Sequence, residues 1–104
     1  MNVAVARIEP VGDHAWRVAG ELTLQNLPAL LAESEGLRAA AGPGRGFELD
    51  LSGVTRIDSS AIALLLAWMR AARQAGASVR FFRAPGQLLS IAEVSGVRSL
   101  LPLG

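Results

Sequence analysis

Three consecutive polar side chains, Asp58, Ser59 and Ser60, stand directly before the longest apolar run of the chain. Each of these residue types can accept a backbone N–H bond at a helix start, a contact worth about 1 kcal/mol. One cap needs one such side chain, so two hydroxyls after a carboxylate leave chemistry to spare. A helix N-terminus also carries roughly half a positive charge. A phosphoryl group on Ser60 or Ser59 would suit that end, yet it would set nearly two negative charges beside any apolar interface. The pattern points to a switchable contact.

The other candidate sites carry less. Gly42-Pro43-Gly44-Arg45-Gly46 lacks the G-x-x-x-x-G-K-[ST] pattern of a phosphate loop and precedes a strand pattern, so it reads as a connector. His14 is the single histidine and cysteine is absent, which leaves no second ligand of either type for a zinc ion. A serine nucleophile would have only that imidazole as its base, and no G-x-S-x-G elbow occurs. Glu48 and Asp50 share a strand face, with Asp50 read as the acceptor that organises the loop after it. No catalytic residue, metal or cofactor is expected.

The chain has 104 residues, and a chain of this size buries about two thirds of its surface around one core. A single domain spanning residues 1–104 follows. Hydrophobic residues make up 51% and charged residues 18%, which excludes intrinsic disorder. Ala61 to Met69 is about half the ~20 apolar residues that a membrane span needs, so no direct membrane insertion is expected. Met1-Asn2-Val3 has neither the basic nor the apolar segment of a secretory signal, and a cytoplasmic location is expected. The ten basic residues are all arginines, scattered without a block, and the aromatic share is 5%. Nucleic acid needs a concentrated basic stripe and is not expected as a partner.

The elements that position Asp58–Ser60 follow from periodicity. Val3 to Ile8 and His14 to Ala19 read as strands joined by a turn at Pro10–Asp13, with Gly20 breaking the second. Thr23 can cap a helix whose stripe is Leu27, Leu30, Leu31, Ser34 and Leu37 and which ends near Ala41. Phe47 to Leu51 alternates as a strand, Ser52-Gly53 turns, and Val54 to Ile57 leads into Asp58. A helix runs from Ala61 to Ala75 with Gly76 as its stop. Val79 to Arg83 is a strand, Pro85 opens a last helix, Gly96 closes it, and a short apolar tail follows. The order β-β-α-β-α-β-α predicts an α/β fold, a mixed sheet of about 4–5 strands packed against about 3–4 helices.

The helix after Ser60 is greasier than a sheet requires. At 100° per residue its apolar arc is roughly 220° wide, against little more than ~100° for a helix lying on a sheet. Neighbouring helices can cover the excess, or one flank, centred on Leu64 and Trp68, can dock another protein. Tryptophan is favoured in interface anchors, and the second reading puts partner binding on Asp58, Ser59, Ser60, Leu64 and Trp68.

Gly20-Glu21-Leu22, then Leu49-Asp50-Leu51-Ser52-Gly53-Val54, then Asp58-Ser59-Ser60 opening a long helix, resemble the STAS domain over essentially the whole chain. The resemblance implies a mixed sheet flanked by helices and a non-enzymatic, partner-binding role. Two branches compete. In the branch of anti-sigma factor antagonists, the domain binds an anti-sigma serine kinase, and phosphorylation of the second serine, here Ser60, releases it. In the branch similar to the MlaB component of Mla-type phospholipid transporters, the domain binds the ABC transporter ATPase subunit at the inner face of the inner membrane. There the first hydroxyl, here Ser59, matters for the contact. The run Ala61-Ile62-Ala63-Leu64-Leu65-Leu66-Ala67-Trp68 is more similar to the MlaB-like branch, while Ala61 where the sigma regulators usually carry glycine, and Thr23 in place of the aspartate after G-E-L, count against kinase recognition. The expected function is therefore an accessory subunit supporting that ATPase, with the kinase-controlled antagonist as the alternative.

Overall fold

Alternation in Phe47, Leu49 and Leu51 sends three large side chains to one face of a strand, and all three are buried. The computed structural model describes residues 6–41 and 46–102. In order these form β1 (Arg7–Gly12), β2 (Ala15–Leu22), a 3-10 turn (Leu24–Asn26), α1 (Leu27–Ala41) and β3 (Gly46–Ile57). After these come α2 (Ser60–Gln74), β4 (Ser78–Phe82), α3 (Gly86–Val94) and a 3-10 turn (Arg98–Leu100). The sheet order is β1-β2-β3-β4, with β1 antiparallel to β2 and the other two pairs parallel. Four strands and three helices match the expected mixed α/β architecture.

Both parallel connections step the same way along the sheet. Crossovers are overwhelmingly right-handed, so α1 and α2 must land on one face. The inward set Val18, Leu49, Leu51, Val79 and Phe81 is 5% exposed or less and packs with Leu65, Trp68 and Leu88 of the helices. The alternate positions Arg17, Glu48, Ser52 and Arg80 are exposed, so the opposite face is open and charged. Asp50 lies there half-buried, accepting from Arg83 Nη1 at 2.8 Å with Arg17 Nε 3.9 Å away.

Several strand limits differ from the sequence reading, each for a local reason. Pro10 lies inside β1 rather than in a turn, because an edge strand tolerates a residue without an N–H. The turn sits at Asp13 and His14, where His14 takes φ 56°. Gly20 does not end β2. Its φ of 97° carries the chain through an irregularity in the pairing with β3.

Ser52-Gly53 is not a turn either. Arg17 pairs with Asp50 and Ala19 with Gly53, so β3 carries an extra residue there and continues to Ile57. The N–H of Ser52 donates to Asp50 Oδ1 at 2.9 Å. A Cβ on Gly53 would stand 2.9 Å from the Val18 carbonyl oxygen, so the bulge needs glycine. Val3–Val5, most of the Gly42–Gly46 connector and the end of the tail lie outside the described residues.

Gly76 (φ 71°) and Gly96 (φ 73°) stop α2 and α3 where expected. The carbonyl of Pro102 accepts the Phe81 N–H at 2.9 Å, so the tail covers part of the β4 edge.

Candidate functional site: the start of α2

Asp58 acts as the joint between two helix starts. Its Oδ1 accepts the Ser60 N–H at 2.8 Å and its Oδ2 accepts the Leu24 N–H at 3.1 Å. The first bond supplies the cap of α2, and the second ties that cap to the turn preceding α1. Thr23, expected to cap, makes no side-chain cap bond, and its Oγ1 is buried without a partner. The Leu24 N–H bond holds the Asp58 carboxyl below its ordinary range. Partial burial opposes this, while the Ser60 N–H and hydroxyl and the Arg56 charge reinforce it.

The two serines differ. Ser59 is the residue before the first helical position, with φ −63° and ψ −16°, and its exposed hydroxyl makes no cap bond. Ser60 is half-buried, with N–H and hydroxyl both turned to Asp58. Asp58–Ser60 thus present one unoccupied hydroxyl and one engaged hydroxyl at the positive end of a 15-residue helix.

Leu64 and Trp68 are not a docking flank. Each is only 1% exposed, and the Trp68 indole packs on Phe81 with ring centroids 6.3 Å apart. Its Nε1–H donates to the Ser34 hydroxyl, which donates to the Leu30 carbonyl at 2.7 Å. The wide apolar arc is covered by α1, α3 and the sheet. Trp68 hides its polar edge on Ser34, a residue that the sequence places only in the α1 stripe.

What α2 leaves outward is smaller. Ser59, Ala63 and Arg70 are exposed, with Leu66 and Ala67 half-buried between them. Leu24, whose N–H the Asp58 carboxylate holds, is 66% exposed. Leu24 is missing from the sequence-predicted site, although its place just outside the Leu27–Leu37 stripe is a visible signal. Asp50, read as a loop organiser, does hold the Ser52 N–H. Burial raises its carboxyl, but the Ser52 N–H and hydroxyl with Arg83 and Arg17 outweigh this and leave it below its ordinary value.

Comparison with known proteins fits this geometry. A family model described as "Mlab, STAS domain" matches residues 11–102. Among solved structures, an anti-sigma-factor antagonist STAS protein from Planctomyces limnophilus has a TM-score of 0.72 at 16% identity, covering 96% of this chain and 89% of that one. The Bacillus cell fate determinant SpoIIAA in its phosphorylated form has a TM-score of 0.67 at 15% identity, covering 96% and 91%. An anti-sigma factor antagonist from Mycobacterium paratuberculosis has a TM-score of 0.67 at 23% identity, covering 97% and 85%. These likenesses concern the fold. The search of curated proteins returned no match. With the family model spanning most of its length and the same fold in each neighbour, the chain belongs to the STAS domain family.

Proposed function

We propose that this STAS domain is a non-enzymatic accessory subunit of the MlaB type. It binds and supports the ATPase of an Mla-type ABC phospholipid transporter, held at the cytoplasmic face of the membrane by that complex. The observation that carries the reading is the start of α2, where the exposed Ser59 hydroxyl lacks a cap bond and Ala63, Leu66 and Ala67 extend a low, weakly polar surface towards Arg70. Small side chains let a partner approach the helix closely, and the family model's description favours the MlaB-like branch. Arg70 adds a rim charge worth under about 1 kcal/mol.

Purification of the tagged protein from its native cell, with identification of what it retains, tests the reading. An ABC ATPase with its permease is the expected result, and Ser59→Arg should weaken binding of that ATPase about tenfold with the circular dichroism unchanged. Recovery of a sigma-controlling serine kinase instead would overturn it.

The second reading is an anti-sigma factor antagonist regulated at Ser60. It draws support from the closeness of the Ser60 hydroxyl to the Asp58 carboxylate, because a phosphate there would repel Asp58 and disturb the joint to Leu24. Incubation with a kinase recovered in that purification and ATP tests this second reading. Stoichiometric phosphate on Ser60 supports the antagonist, and its absence rejects control at Ser60.

A further inference from the structure

Leu24 is bonded to Asp58 at one end of the helix pair, and Ser34 to Trp68 further along it. Both pairs are 34 residues apart in sequence, so α1 and α2 run side by side in one direction with their levels matched. Helical geometry then decides which side chains border the seam between them. Round α1 from Glu33, which accepts the Ile8 N–H on the β1 side, come the buried Leu30 and Ser34 and then Leu27 and Leu31, on the side of α2. Round α2 from the buried Trp68 and Leu64, Ala67 and then Ala63 follow. Leu24 is 66% and Leu31 39% exposed, while Ala63 is exposed and Ala67 half-buried. The leucines make a ridge, and the alanines make a low strip beside it. At the end away from Ser59, Glu35 on α1 and Arg70 on α2 stand at nearly the same level, both exposed. Neither takes part in any ion pair among the described residues.

We infer that this seam receives an amphipathic helix of the docked partner, laid along α1 and α2 with its apolar stripe between Leu31 and Ala67. A basic residue of that helix meets Glu35, and an acidic one meets Arg70. The inference deepens the docking reading above and rests on it, because Leu24 is held by Asp58, so the seam begins at the helix end that carries Ser59. The main-chain groups along α1 and α2 are already spent inside each helix. An extended segment laid there would leave its own N–H and C=O groups without partners on the protein. A helix brings those groups already paired, and its ridge of side chains can pack on the alanine strip.

The test uses the intact protein and the ATPase recovered in the purification above, with affinity read by titration calorimetry. Leu31→Ala should weaken the complex about fivefold. Glu35→Arg and Arg70→Glu should each weaken it about twofold to fivefold, the range of exposed ion pairs, with the circular dichroism unchanged. The double exchange should bind more weakly than either single one. If the two residues served only each other, it would restore wild-type affinity, and that result overturns the inference. The chain has no cysteine, so a benzophenone carried on Leu31→Cys marks one place and should cross-link to a helical segment of the ATPase. A cross-link to an extended segment, or to a second copy of this chain, overturns it as well. The two readings fail separately. Loss of the ATPase in Ser59→Arg with full binding by Leu31→Ala rejects the seam and keeps the docking site. Absence of ATPase binding by the wild type removes the docking reading and this inference with it.

Discussion

The indole N–H of Trp68 and the hydroxyl of Ser34 are paired in the interior, one on α2 and the other on α1. Ser34 in turn donates to the Leu30 carbonyl, so neither polar group is stranded. Together with the bond from Leu24 to Asp58, this pins the two helices at two levels, at their starts and about two turns in. The α2 surface is therefore presented on a stiff pair of helices.

Ser34→Ala leaves the Trp68 N–H without an acceptor and should destabilise the fold by about 1–3 kcal/mol. Trp68→Phe in that background removes the orphaned donor and should recover part of the loss, whereas Trp68→Ala should cost about 3–5 kcal/mol. Urea unfolding followed by circular dichroism measures all three. Wild-type stability in Ser34→Ala would mean that the pair does not form.

Acid should loosen the start of α2. Asp58 is held below its ordinary value of 3.8, so its contribution is fully present above that pH and fades as the pH falls through the lower, folded value. Asp50 behaves in the same sense. Urea midpoints taken from pH 6 down to pH 2.5 should fall below about pH 4. Asp58→Asn should be less stable near neutrality by about 1 kcal/mol and show a shallower fall. A profile as steep as that of the wild type would show that Asp58 is not responsible.

Two glycines should respond in opposite directions. Gly53→Ala drives a Cβ against the Val18 carbonyl and the Ala19 Cβ, 2.9 and 3.1 Å away, and should cost about 1–3 kcal/mol. Gly36, inside α1, has open space for 4 Å around the place a methyl carbon would take, and Gly36→Ala should gain about 0.5–1 kcal/mol. Thermal melts should therefore move down for the first and up for the second, by about 4–8 °C per kcal/mol in a domain of this size.

Docking should follow exposure rather than hydrophobicity. Ala63→Trp enlarges an exposed position on α2 and should weaken the proposed ATPase complex about tenfold, near 1.4 kcal/mol, with little change in melting temperature. Leu64→Ala, one residue on but 1% exposed, should instead lower stability by about 2–5 kcal/mol while the folded fraction binds normally. Titration calorimetry beside thermal melts separates the two. The reverse pattern would return the interface to the Leu64 flank.

The order of elements, the Asp58–Ser60 helix start and the glycine stops are legible because each is a local event, governed by neighbours in sequence. The errors come from pairing between elements, in most cases with partners far along the chain. Ser52-Gly53 has turn composition, and only β2, which faces it with too few residues, makes it a bulge. Gly20 and Pro10 read as breakers, yet pairing with neighbouring strands carries the chain through both. The α2 wheel gives the width of the apolar arc correctly and cannot say what lies over it. Nothing near Trp68 in sequence signals an acceptor 34 residues earlier on α1. For the same reason periodicity assigns the cap of the α1 entry to Thr23, its neighbour, when Asp58 supplies the bond from a distant loop.

Because the helices all crowd one side of the sheet, the other side offers a handle. The natural chain has no thiol, so Arg80→Cys would create a unique attachment point on the outward face of β4. A dye, spin label or sensor chip anchored there would leave the Ser59 end of the molecule unobstructed. Every protomer would then meet its partner in one orientation.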